Sequence, residues 1–372
     1  MKKGWEYKTL GEVANIIHGK NQKDVLSENG KYPIYGSGGT IMGYAKEYLC
    51  SAGTTILGRK GSINNPIYIE ENFWNVDTAF GISAKDNYSS KYIFYYCKSK
   101  DWSKLNTGTT LPSLTQSLVK SQNIYIPDLA EQRRIVSYLD SSFDLIDKIK
   151  ENASKSLSEA KALFQSALAE AMEPKEGWEE KTLGEIATDM YRGSGIKRDQ
   201  ISQIGFPCVR YGEIYTTYNY SFEKCVSHTD ESLINPKKYF SKGDILFAIT
   251  GESVEDIGKC IAYTGKDKCL CGGDIVVMKH NQYPQFLAYA LSTKDAIRQK
   301  GLGKVKLKVV HTNVPALKSI KIYLPTDIQA QKQIVSRLDS LSSKVRAMEE
   351  KYQKMIAECD ALKQAMLREV FE

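Results

Sequence analysis

The segment ILGRKGSINN crowds Arg59, Lys60, Ser62, Asn64 and Asn65 into seven consecutive residues. Arg and Lys supply the donors that grip phosphate and guanine, and Asn matches the paired donor and acceptor of adenine. Similar material recurs further along the chain. YRGSGIKR holds Arg192, Ser194, Lys197 and Arg198, and VRYGE holds Arg210, Tyr211 and Glu213. RQKGLGKVKLK carries Arg298, Lys300, Lys304, Lys306 and Lys308 without an acidic residue. Each of these side chains alone is ordinary solvated surface; their grouping on Gly-rich turns predicts two surfaces that meet a polyanion.

Catalytic constellations are missing from the sequence. There is no HExxH, no phosphate-binding P-loop and no GxSxG with a credible His and acid, and only His18, His228, His280 and His311 could serve as general bases. NNPIY at 64–68 resembles the NPP[YF] signature of adenine methyltransferases, but Ile67 follows Pro66 and no glycine-rich cofactor turn precedes it. Cys260, Cys269, Cys271 and His280 are the nearest approach to a metal set, yet CxC is tighter than structural zinc sites use. The expectation is therefore no catalytic residue, no metal and no cofactor in this chain. Eight cysteines in 372 residues are too sparse for a disulfide scaffold. No stretch is apolar enough for a membrane span and the start lacks a signal peptide's apolar run, which predicts a cytoplasmic protein. The net charge of +7 divides into +4 over residues 1–130, −1 over 131–172, +3 over 173–329 and +1 over 330–372, so the excess lies mainly in two blocks.

The elements that would position these turns are written twice. GWEYKTLGEVA (4–14) returns as GWEEKTLGEIA (177–187), and IYIPDLAEQRRIVSYLD (124–140) as IYLPTDIQAQKQIVSRLD (322–339). Thr9 with Glu12, and Thr182 with Glu185, fit the capping box of a short helix, with Trp5 and Trp178 available as anchors. The second repeated motif opens a long helix in each copy. Its apolar seam runs Ile334, Leu338, Leu341, Val345, Met348, Tyr352, Met355, Cys359, Leu362 and Met366. The first copy, in the same frame, runs Ile135, Leu139, Ser142, Ile146, Ile149, Ala153, Ser156, Ala160, Leu163 and Ala167. Small residues on one helix facing large ones on the other predict that the two pack together, antiparallel because the intervening chain returns. At 1.5 Å per residue, some 40 residues span about 60 Å. Between the repeats lie short apolar runs bounded by turn residues, each set followed by a helix candidate, so each head mixes strands and helices. The fold class is α+β: two mixed α/β domains, residues 1–130 and 174–329, separated and joined by two long antiparallel coiled-coil helices, 131–173 and 330–372, in a pseudo-two-fold internal repeat.

In this order of parts the sequence resembles the specificity subunits of Type I restriction–modification enzymes. The likeness is carried by WEYKTLGEVA and WEEKTLGEIA, by the turns in PIYGSGG and VRYGE, by GRKGS and GTTLPSL, and above all by the proline, Gln and Ile-Val pattern that opens each long helix. It covers the whole chain. The resemblance implies that each head is a target-recognition domain reading one half of a bipartite, asymmetric DNA sequence, while the helix pair sets the spacer. It adds Thr109 and Thr110 of GTTLPSL to the DNA-binding candidates. It implies as partners double-stranded DNA, two methyltransferase subunits that use S-adenosylmethionine, and restriction–motor subunits that use ATP with magnesium. A solitary adenine methyltransferase and a non-enzymatic coiled-coil tandem binding module are the competing readings.

Overall fold

The computed structural model describes residues 4–254, 256–302 and 310–372. It divides into two compact units, one of residues 1–155 with 352–372 and one of residues 156–351, so each long helix contributes a half to each unit.

The first head comprises β1 (Glu6–Thr9), α1 (Leu10–Val13), β2 (Ala14–His18), β3 (Tyr32–Tyr35), β4 (Ile41–Ala45), β5 (Thr54–Gly58), β6 (Ile67–Ile69), β7 (Trp74–Asn75), β8 (Ala79–Ala84), α2 (Ser90–Ser99), α3 (Gln116–Lys120) and β9 (Asn123–Ile126). α4 (Leu129–Ala171) follows. Four strands form a sheet in the order β2-β8-β5-β6, three form another in the order β4-β3-β7, and β1 pairs with β9.

The second head comprises β10 (Trp178–Thr182), α5 (Leu183–Ile186), β11 (Ala187–Arg192), β12 (Ile201–Ser202), β13 (Phe206–Val209), α6 (Tyr211–Thr216), β14 (Ser221–Phe222), β15 (Ser227–Thr229), β16 (Tyr239–Phe240), β17 (Ile245–Ala248), β18 (Thr250–Gly251), β19 (Cys260–Tyr263), β20 (Cys269–Cys271) and β21 (Ile275–His280). It closes with α7 (Pro284–Ala290), α8 (Lys294–Gly301), β22 (Val310–His311), α9 (Val314–Lys318) and β23 (Lys321–Pro325), before α10 (Ile328–Phe371). Its sheets run β11-β21-β17-β19-β14 and β12-β15-β13-β20-β16, with β10 on β23 and β18 on β22. The central order is that of the first head with strands added at the edges.

The repeated words have a local explanation. Glu12 Oε2 accepts from the Thr9 N–H at 2.6 Å, and Glu185 Oε2 accepts from the Thr182 N–H at 2.7 Å while Thr182 Oγ1 accepts from the Glu185 N–H. Each cap ends a strand that lies antiparallel on the strand feeding the long helix, Glu6 opposite Ile126 and Trp178 opposite Pro325. The repeat therefore closes each head onto its own exit. Trp5 packs against the first core, and Trp178 stands edge-on to Phe286 at 5.9 Å.

The second repeated motif is a clamp. Gln132 and Gln331 are fully buried, and each donates to the carbonyl of the proline before its helix, Pro127 at 2.8 Å and Pro325 at 2.9 Å. Each also accepts a backbone N–H from the head, Ser89 at 2.8 Å or Tyr283 at 3.0 Å. Two turns on, Asp140 accepts from the Tyr95 hydroxyl and Asp339 from that of Tyr289. Buried amides satisfied on both edges hold a helix at a fixed position.

The long helices pack together. In the first unit Asp147 meets Lys363 at 2.5 Å and Lys150 meets Asp360 at 2.6 Å, so one number rises as the other falls. Eight of the twenty expected seam positions are buried: Ile135, Leu139, Ile146, Ala153, Ala160, Leu338, Val345 and Cys359. At four points the buried residue is the one after the expected position, at Phe143, Phe164, Leu168 and Leu367. Ile149, Leu163, Met348 and Leu362 are exposed. The cause is that each helix half faces a head as well as a helix. Phe143 meets Tyr95 edge-on at 5.5 Å, Phe371 meets Tyr92 at 5.0 Å, and Phe164 meets Tyr220 at 5.6 Å. Among the described residues no helix is long and apolar enough to cross a membrane.

Candidate nucleic-acid interface

In the first head, Arg59 follows the last residue of β5, a strand buried along its whole length. The N–H groups of Arg59 and Lys60 both donate to the Thr78 carbonyl, at 2.8 and 3.1 Å, and Arg59 Nε donates to the Asp77 carbonyl at 2.9 Å. The turn is then stapled to a distant loop: Lys60 bridges Ser113, Gly61 N–H donates to Pro112, and Leu114 N–H donates to Arg59. Asn106 shapes that loop, its Oδ1 accepting the N–H groups of Gly108 and Ser113 at 2.8 Å each. Arg59, Lys60 and Ser62 are thus on a turn bound to the loop that carries Thr109 and Thr110, and Lys60, Ser62, Thr109 and Thr110 are exposed. Asn64 is exposed like Asn65, but its amide is engaged by the head, accepting from Trp102 N–H at 2.8 Å and donating to Asp101 at 3.3 Å. Tyr68, the aromatic of NNPIY, lies within β6 and packs on Phe94 at 5.5 Å.

In the second head, Arg198, Arg210 and Tyr211 line a concavity of about 580 Å³ together with Thr216, Thr217, Gly273 and Asp274. Arg192 borders it, its Nε donating to the Gly273 carbonyl at 3.0 Å and its Nη2 lying 3.7 Å from Asp274. Lys197 and Arg198 are exposed. The chain enters this region through a close approach: a Cβ on Gly193 would stand 2.4 Å from the Gly272 carbonyl oxygen, just as one on Gly19, after β2, would stand 1.9 Å from that of Val76. Ser194 departs from the expectation. It is 1% exposed and its Oγ accepts the Lys238 N–H at 2.8 Å, so it shapes the turn and is withdrawn from the surface. Lys304, Lys306 and Lys308 lie outside the described residues; the segment that holds them leads into β22, whose His311 pairs with Thr250 of β18.

A second basic cluster escaped the sequence reading. Lys237, Lys238, Lys266, Lys268 and Lys279 line a cleft of about 650 Å³ with Tyr191 and Tyr239. Lys268 Nζ lies 3.8 Å over the Tyr239 ring, and Lys279 pairs with the buried Asp244 at 2.9 Å. Burial holds the Tyr191 phenol above its ordinary range, so it remains a neutral donor to the Tyr239 carbonyl. The signals were KK at 237–238 and KDK at 266–268; only the pairing of β16 with β20 brings them together.

One polar cluster deserves a test as a catalytic centre. Thr250 Oγ1 lies 3.2 Å from His311 Nδ1 and 3.1 Å from Asp274 Oδ1. Both partners contact the hydroxyl, so the carboxylate does not orient the imidazole as a nucleophile–base–acid relay requires. Among the described residues no group of three or more His, Cys, Asp or Glu side chains is placed to hold a metal ion. The two heads offer donors on turns and clefts, an arrangement suited to binding.

Comparison with known proteins agrees with that geometry. The Type I restriction modification DNA specificity domain family matches residues 2–158 and 175–356, and the chain belongs to it. It is 26% identical over 142 residues to a putative type I restriction enzyme specificity subunit of Haemophilus influenzae, covering 37% of each chain. It is 24% identical over 315 residues to the EcoKI specificity subunit of Escherichia coli K12, covering 76% of this chain and 65% of that one. The matches thus span less than two thirds of these curated relatives. Its fold resembles a chain in a structure described as the basis of complex assembly and conformational transition of the type I R-M system, with TM-score 0.74, 19% identity, and coverage of 99% of this chain and 97% of that one.

Proposed function

We propose that this chain is the sequence-specific DNA-binding specificity subunit of a Type I restriction–modification complex. Residues 1–130 and 174–329 are its target-recognition domains, each reading one half of a bipartite, asymmetric sequence. Residues 131–173 and 330–372 form an antiparallel coiled-coil spacer, and the two copies are related by a pseudo-two-fold axis. The observation that carries this reading is the pairing of one strand order, and one Gln-Asp clamp on a long helix, with two different sets of surface turns. A constant frame with variable donors is what two readers of unlike half-sites require.

In the first domain Arg59, Lys60, Ser62, Asn65, Thr109 and Thr110 meet DNA; in the second Arg192, Lys197, Arg198, Arg210, Tyr211, Lys304, Lys306 and Lys308 do so. The lysine cleft that includes Lys238 and Lys268 supplies phosphate contacts, which position without specifying. The protein is a recognition component and not an enzyme. Methylation, with S-adenosylmethionine, belongs to two partner methyltransferase subunits, and cleavage, with ATP and magnesium, to restriction–motor subunits, all in the cytoplasm. Tyr138, Leu145 and Ile149 are exposed on α4 at helical spacing, an apolar stripe that supports docking of a partner helix.

The test is genome-wide mapping of methylated adenines in a host that expresses the chain with its methyltransferase, before and after residues 15–123 are exchanged for another head. One half of the motif changes and the other stays. A change in both halves, or in neither, defeats the division of labour, and methylation by the purified chain alone defeats the assignment of catalysis to partners.

A further inference from the structure

The concavity of the second head is bordered by three arginines held in three different ways. Arg192 is engaged at both edges, Nε on the Gly273 carbonyl and Nη2 toward Asp274. Arg198 is exposed. Arg210 is anchored at one edge only. Its Nε donates to Glu213 Oε1 at 3.0 Å, and its backbone N–H donates to Glu213 Oε2 at 3.2 Å.

Glu213 is 5% exposed and fully committed. Ser227 Oγ donates to Oε1 at 2.5 Å, and the Glu213 N–H donates back to the Arg210 carbonyl at 3.0 Å. VRYGE explains the arrangement locally: Glu three residues after the residue that starts a helical turn reaches back to that residue's amide. A buried carboxylate facing one guanidinium fixes the plane of that group, because a displaced partner would leave an unpaired charge out of water. The Arg210 side chain stays 42% exposed, and among the described residues no bond engages its Nη edge.

A guanidinium held in one plane, with two parallel donors open, matches the O6 and N7 acceptors of guanine in the major groove. A phosphate can take the same fork, but a phosphate contact carries no base information, so a base preference at one position separates the two. We propose that Arg210 reads a guanine in the half-site of the second head, and that Glu213 is its positioning residue. The proposal rests on the chain being a DNA specificity subunit.

The experiment maps methylated adenines for the full complex carrying wild type, Arg210→Lys, Arg210→Ala or Glu213→Gln, with the half-site of the second head identified as the half that survives exchange of residues 15–123. The wild-type half-site contains a G·C pair at which preference over other bases falls ~10- to 100-fold in both Arg210 variants. Lys does not rescue, because it keeps charge and loses the fork. Glu213→Gln relaxes the same position more weakly and leaves the other positions alone, which a purely structural role would not do. A uniform loss of methylation with unchanged base preference overturns the proposal, as does a half-site without a G·C pair. Should Arg210→Ala fail to accumulate, Arg210→Lys and Glu213→Gln still decide. Absence of any bipartite motif with wild type defeats the underlying reading of function instead.

Discussion

The two heads share their interior and differ at their rims. β2-β8-β5-β6 in one and β11-β21-β17-β19 in the other are the same ladder, and in both the neighbouring sheet sets one parallel and one antiparallel partner on its central strand. The additions in the second head are short edge strands, the β18–β22 pair, α6 and α8. The clamps onto the long helices share their Pro, Gln, Asp and Tyr, while the N–H received by the Gln comes from Ser89 in one and Tyr283 in the other. Conservation of the interior with variation of the rim separates what must hold a helix from what must meet a ligand. A scaffold of this kind accepts a new surface without rebuilding its core.

The largest effect tests the shared part. Gln132→Leu and Gln331→Leu each leave a buried N–H and a buried proline carbonyl without partners, at a cost of about 3 kcal/mol. Denaturant unfolding of the full chain should show similar losses for the two variants. A loss in only one would break the equivalence of the heads.

A smaller effect separates them. His280 in β21 pairs with Ala187, while the corresponding position of the first head is Ala84, paired with Ala14. Desolvation by burial pushes the His280 imidazole down to about 4, against a weaker upward pull from Asp244. Its Nε2 is buried without a partner among the described residues, and its Nδ1 accepts the Gln282 N–H at 3.1 Å. The unfolded chain binds this proton below pH 6.5 and the folded chain does not until about pH 4. Stability contributed by the neutral ring is therefore complete above pH 6.5 and falls as the pH drops between those values, by about 2 kcal/mol after allowance for partial exposure. His280→Ala should flatten that part of the pH–stability curve; a curve identical to wild type would remove this distinction between the heads.

The smallest effect concerns the helices. Lys150 with Asp360 is a surface pair, and Lys150→Gln should cost no more than about 0.5 kcal/mol, less at high salt. Thermal unfolding at low and high salt measures it. A loss several times larger would mean that ion pairs, more than the aromatic contacts of Phe143 and Phe371, hold the helices.

Much of the fold was legible because it is local or repeated. A capping box is read from two residues three apart, and a helix of more than 40 residues from its periodicity. Clamps were partly legible: the Gln and Asp of each helix-opening motif stood out as repeated, but their partners Ser89, Tyr95, Tyr283 and Tyr289 did not, since those bonds cross 43 to 50 residues. Turns with donors were found where cations cluster in sequence, at Arg59–Lys60 and Lys197–Arg198. They were misjudged at Ser194, whose buried side chain meets Lys238 and whose N–H meets Cys271, partners 44 and 77 residues away that no local signal names.

By itself, then, the sequence determined the duplicated frame, the capped starts, the two long helices and the places where donors gather, all of which follow from spacings along one segment. Tertiary structure alone decided which side of each helix is buried, which turn is stapled to which loop, and which arginine is held in a plane. A helical period of 3.6 residues leaves two adjacent apolar stripes almost equally plausible, and the choice falls to whatever packs against them. Here Tyr95 and Tyr220 of the heads draw in Phe143 and Phe164, each one residue past the expected seam. The same holds for Arg210, whose edge is anchored by a carboxylate that Ser227, fourteen residues further on, keeps in place.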